Sequence, residues 1–175
     1  MKTGMNVVLA LAAGMFATAS APAQAPPTDP QIVGIVVTAN QIDIDAGKLA
    51  ISKTHNKQIH NFAQQMITDH SALQKSVFDL GVKLHIAPAD SDTSRSLKKQ
   101  ASEITARLKS LTGAAFDKAY IDIEVSYHKA VIEAVIKVLI PNAQNAELKS
   151  ALTGAAPLFQ AHLEHAEHLQ AGMAK

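Results

Sequence analysis

Apolar residues recur at Ile59, Phe62, Ala63, Met66, Leu73, Val77, Leu80 and Leu84. This i, i+3, i+4, i+7 spacing predicts a helix buried along one side, starting after an Asn56 cap and running to about Leu84. Four further stretches carry the same period. From about Pro30 to Ser52 the line is Ile32, Ile35, Val36, Ala39, Ile42, Ala46, Leu49 and Ala50, with Asp29 as the expected N-cap. From about Thr93 to Ser110, Leu97, Ala101, Ile104 and Leu108 share a face and the rest is basic and polar, the pattern of a surface helix. From about Ala114 to Ile140 the inner line is Phe116, Tyr120, Ile123, Tyr127, Val131, Ala134 and Val138, ended by Pro141-Asn142. From about Asn145 to Ala171 it is Leu148, Leu152, Ala155, Phe159, His162, Ala166 and Leu169, with an internal Pro157 expected to kink the helix.

The connections decide the architecture. The links at Lys53–His55 and Pro141–Gln144 are short, so the helices they join lie antiparallel. The link from Ile86 to Gly113 is long enough to travel the length of a bundle. The expected fold is therefore all-α: a ferritin-like four-helix bundle with one long crossover carrying an extra short helix.

Polar residues interrupt these stripes. His70 lies in the middle of the second stripe and His162 in that of the last; Asp43 lies on the edge of the first, and Glu124 and His128 flank the fourth. An imidazole in a core position needs a hydrogen bond or a metal, because burying it unpaired is costly. The helical rise tests whether these residues meet. At ~1.5 Å per residue, Asp43, His70, Glu124, His128 and His162 lie roughly 16, 24, 16, 22 and 14 Å below the first turn. Side chains lean toward their own helix N-terminus, which brings Asp43, His70, His128 and His162 to a common level roughly 19 Å down, where Glu124 could join as a further acid. Three imidazoles with a carboxylate suit one Fe, Zn, Mn or Cu ion. The alternative is a hydrogen-bonded polar cluster that only fixes helix register, with His70 and His162 capped by Asp43, Glu124, Tyr120 or Tyr127. His165 and His168 continue around the last helix as a partly exposed face. No inward Glu-x-x-His occurs, which argues against a di-iron oxidase. No nucleophile motif or phosphate loop appears either, so no catalytic residue is assigned.

Composition adds the compartment. Lys2 followed by the apolar run Val7–Ala19 and Ala21-Pro22-Ala23 reads as a secretory signal over residues 1–23. Residues 24–30 read as a disordered lead-in and 31–171 as the bundle domain. The expected location is the periplasm or outside the cell, with no membrane span after cleavage. The formal charge of +1 falls to zero once the leader is removed, which argues against a nucleic-acid partner. The chain has no Cys and is 4% aromatic, so packing alone must hold it. If the inner histidines are structural, the function left is that of a non-catalytic envelope or stress-related interaction protein, with the crossover helix as a docking face for an envelope partner.

Several elements together resemble a known family: Asp43 and Asp45 before Gly47-Lys48-Leu49-Ala50, Phe62-Ala63, Met66-x-x-Asp69-His70, Phe116-Asp117 with Tyr120, and Pro157 followed by His162-Leu163. Over about Gln31–Gln170 the chain resembles the secreted bacterial domain-of-unknown-function family four-one-four-two. That resemblance implies a ferritin-like fold and an envelope location, and it brings no established activity. Asp43 stands where the family often carries Glu, a shorter reach toward any shared ligand.

Overall fold

The structure is a computed structural model that describes residues 25–173. The proposed signal segment lies outside these residues. Helices α1 (Asp29–Lys53) and α2 (Lys57–Leu84) form one antiparallel hairpin. The crossover carries α3 (Asp92–Ser110), which packs chiefly on α1. Then α4 (Gly113–Ala134) passes through a π-helical turn (Val135–Leu139) into the short α5 (Ile140–Asn142). Finally α6 (Ala146–Met173) pairs with α4. This is the all-α bundle with one long crossover that the periodicity predicts.

The ends are set by local chemistry. Asn56 Oδ1 accepts from Gln58 N at 2.9 Å and Ile59 N at 3.4 Å, capping α2 as expected. His85 ends α2 in the left-handed conformation, φ 57°, with Ile86 N bonded to Gly81 O. Ser91 and Ser94 satisfy each other's backbone N–H groups at the start of α3. At its other end, Lys53 Nζ donates to the carbonyls of Leu108 and Lys109. One expected cap moves: Thr28, not Asp29, is the N-cap of α1, so the extended lead-in stops at Thr28. Asp29 instead accepts from Gln144 N and Asn145 N, tying the start of α1 to the α5–α6 link.

The π turn corrects the inner line expected for the fourth helix. An i→i+5 turn holds an extra residue, which rotates everything after it relative to an α-helix. Val135 and Leu139 are therefore buried, while Val138, expected inside, is 42% exposed. The turn lies just before Pro141, which stands inside the final turn rather than stopping the helix at Ile140. Pro157 likewise lies inside α6, which is helical on both sides of it.

The core falls into two apolar halves. One is built on Phe62, Met66, Phe116, Tyr120, Ile121 and Leu163, the other on Ile32, Ile35, Leu139, Leu148, Leu152 and Phe159. On every long bundle helix the buried polar residues fall between these halves.

The crossover approaches α1 closely at Gly34. Ala89 N donates to Pro30 O at 2.9 Å, and a Cβ on Gly34 would lie 2.1 Å from Ala89 O. Gly34→Ala is expected to destabilise the fold by about 1–3 kcal/mol through overpacking, although alanine is the better helix former by ~1 kcal/mol. Urea unfolding reads this directly, and an unchanged or raised midpoint would refute the close approach.

Candidate metal centre

Asp43, His70, Glu124, His128 and His162 come from four helices and meet between the two apolar halves, and all are buried. The three imidazoles form a near-equilateral triangle. Ring centroids are 5.7 Å apart for His70 and His128, 5.2 Å for His70 and His162, and 5.4 Å for His128 and His162.

Each ring has one nitrogen held and one free. His70 Nδ1 donates to Asn40 Oδ1 at 2.8 Å. His128 Nδ1 donates to the Glu124 carbonyl one turn back, at 3.0 Å. His162 Nε2 donates to Asp69 Oδ2 at 2.9 Å. The remaining atoms, His70 Nε2, His128 Nε2 and His162 Nδ1, are buried without a hydrogen-bond partner. Because an acceptor oxygen fixes the proton on one nitrogen, the neutral ring must carry its lone pair on the other. One potential ligand atom from each of the three residues falls within 4.8 Å of the others. The three residues could therefore hold an ion, with Asn40, the Glu124 carbonyl and Asp69 orienting their rings.

Burial keeps two of the rings, His70 and His128, neutral. Burial pushes His70 down to about 3, with His128 and His162 adding repulsion. Burial also pushes His128 down to about 4, against the pull of its bond to the Glu124 carbonyl. Beside them lie two carboxyls. Burial raises Asp43 well above the carboxylate range, and the charge of Glu124 adds to this. Burial raises Glu124 to about 7, offset in part by the Tyr120 hydroxyl and by Asp43. Two like acids in one dry site hold protons that exposed carboxyls would lose. Asp43 Oδ2 lies 3.4 Å from His70 Nε2, and Glu124 Oε2 lies 3.4 Å from His128 Nδ1. Asp43, Glu124 and His128 make a second group able to hold an ion.

Asp43 was expected at the edge of its stripe and is 3% exposed. The buried line of α1 runs through Ile32, Asn40, Asp43, Gly47 and Ala50, because α1 is covered by both α2 and α3. The outer partners Asn40 and Asp69 escaped sequence reasoning; the usable signals were the i, i+3 spacing of Asn40 to Asp43 and the adjacency of Asp69 to His70. The caps expected from Tyr120 and Tyr127 do not form. Tyr127 Oη donates to Ala39 O at 3.1 Å, and Tyr120 Oη has no hydrogen-bond partner. His165 is half-buried, its Nδ1 on Gln65 Oε1 and its ring edge-on to Phe62, whereas His168 is exposed.

No helix among the described residues is long and apolar enough to cross a membrane. No curated protein matches the chain. A solved structure titled "CopM in the Cu(II)-bound form" matches with a TM-score of 0.66 and 14% identity, covering 84% of this chain and 98% of that one. A likeness at that identity speaks to the fold. The family model described as "Domain of unknown function (DUF4142)" matches residues 14–169, and the chain belongs to that family.

Proposed function

We propose that this protein binds one transition-metal ion in its core, on His70, His128 and His162, with Asp43 or Glu124 as an acidic neighbour. The reading also makes it a periplasmic or secreted binding protein rather than a catalyst. One observation carries it: three buried imidazole nitrogens converge without hydrogen-bond partners, while the other nitrogen of each ring is held by an oxygen. A cluster serving only to fix helix register would use both nitrogens, since an unpaired buried polar atom costs about 1–3 kcal/mol. Neutral imidazoles with a carboxylate suit borderline divalent ions, and among these Cu²⁺ binds nitrogen sites most tightly. The fold relative titled as a Cu(II)-bound form also makes copper the first ion to try, with Zn²⁺ second. The residues' own work is to present three lone pairs and exclude water, with burial keeping His70 and His128 neutral.

Elemental analysis of untagged mature protein, followed by calorimetric titration of the chelated protein with Cu²⁺ and with Zn²⁺, tests the reading. One tightly held equivalent is expected. Binding weaker than that of free histidine, for both ions, would overturn it.

A further inference from the structure

The buried centre opens onto a cavity of about 750 Å³, walled by α1, α2, α4 and α6 and roofed by α3. That volume lies within the range of small-molecule sites, roughly 300–1,000 Å³. Its walls are mostly apolar, and small side chains make the room: Ala39, Ala134, Ala151 and Ala155 line it from the bundle and Ala101 from the roof. The π turn supplies Val135 and Leu139 to the wall, and such turns recur at functional sites.

The inner end is different in kind. Asn40, Asp43, His70 and Glu124 line the cavity there. Glu124 Oε2 is buried without a hydrogen-bond partner, and Glu124 is 1% exposed. Two acceptors of lining residues lack a hydrogen-bond partner there, His70 Nε2 and Glu124 Oε2, while the Tyr127 hydroxyl, also on the wall, is spent on Ala39 O. We propose that the cavity is a binding site for an elongated, uncharged amphiphile, an alcohol or phenol with an apolar body, whose hydroxyl donates to Glu124 Oε2.

The head group follows from charge. A carboxylate head would set a third acid against Asp43 and Glu124. An ammonium head would lose its hydration in a largely apolar space, after passing Lys98 and Lys109 on the lining. A hydroxyl loses less than a charged head on leaving water and supplies the donor that Glu124 Oε2 lacks. The apolar body covers side chains such as Leu73, Val77 and Leu152, which are otherwise open to the cavity. The inference shares Glu124 with the proposed metal site and does not need an ion to be bound.

The test uses the full mature chain, metal-free and metal-loaded, titrated with 1-decanol, decanoate and decylamine and read by calorimetry and by the shift in Tm. Saturable binding of decanol at one per chain is expected, at least tenfold tighter than either charged probe. Ala101→Phe on the roof and Ala155→Phe on the wall should each weaken decanol binding at least tenfold; two positions are used so that one misfolded variant does not decide the result. Glu124→Gln, which replaces the carboxylate by an uncharged amide, should reduce the preference for decanol over decanoate. Equal binding of all three probes, no saturation, or unchanged binding in both filled variants would overturn the proposal. Metal-free protein that binds decanol but never takes up an ion would keep this inference and remove the metal reading.

Discussion

His128→Ala is expected to abolish stoichiometric metal binding while leaving a folded helical bundle. Losing an outer partner of a metal-bound histidine typically costs about 10–100-fold in affinity, and losing a ligand costs more. His128 is the sharpest choice because both possible donor groups include it, the three-histidine set and the set with Asp43 and Glu124. His70→Ala and His162→Ala leave the second set intact, so a residual, weaker site is expected in them. The outer partners grade the effect: Asn40→Leu and Asp69→Asn keep all three rings but loosen their orientation, with losses nearer about 10–100-fold. Competition against a chelator of known affinity reads the series. Equal affinities across wild type, His128→Ala and Asp69→Asn would place any bound ion elsewhere.

The metal-free protein should carry two opposed pH dependences from its core, and a bound ion should change both. The buried histidines set the acid side. His70 and His128 are pushed down to about 3 and 4, whereas the unfolded chain protonates near ~6.5. Between those values the unfolded state binds more protons, so their contribution is complete above ~6.5 and is lost as pH falls toward 3. The carboxyls act in the opposite direction. Asp43 is raised well above the carboxylate range and Glu124 to about 7, so the folded state there holds more protons than the unfolded state. Their contribution is complete below the ordinary carboxylate range and is lost as pH rises through about 7. The two trends oppose each other between the carboxylate range and ~6.5, so the Tm of chelated protein should change less steeply there than the histidines alone would give, and the Glu124 part of the loss should be complete by about pH 7. A bound cation favours the ionised acids and the neutral imidazoles, so it should remove the loss set by the carboxyls and steepen the loss on acidification. Glu124→Gln should remove its opposing part, leaving a Tm that falls more steeply on acidification below ~6.5. Equal Tm profiles for wild type and Glu124→Gln would contradict the raised Glu124.

The sequence made the meeting of Asp43, His70, Glu124, His128 and His162 legible because an α-helix is a ruler. Residue count gives height within about a turn, and short links fix which helices run in which direction. Their roll about the helix axis was less legible. Asp43 was expected at an edge because only the apolar residues of α1 were counted, and the weight of α3 on α1 is a tertiary fact. The partners of His70 and His162 depend on side-chain torsions and on how α1, α2 and α6 rotate against one another, which spacing does not encode. Val135-Ile136-Lys137-Val138-Leu139 reads as uninterrupted α-helix, and the wide turn that points Val138 outward has no marker of its own beyond the proline that follows.

Asp69 and His70 are consecutive on α2, yet one grips the α6 ring from outside while the other offers its own lone pair within. A single rod thus works as both clamp and jaw. Any twist of that rod would loosen two of the three rings together, so on the proposed reading an ion at this waist of the bundle would be taken up or released in one step rather than ligand by ligand.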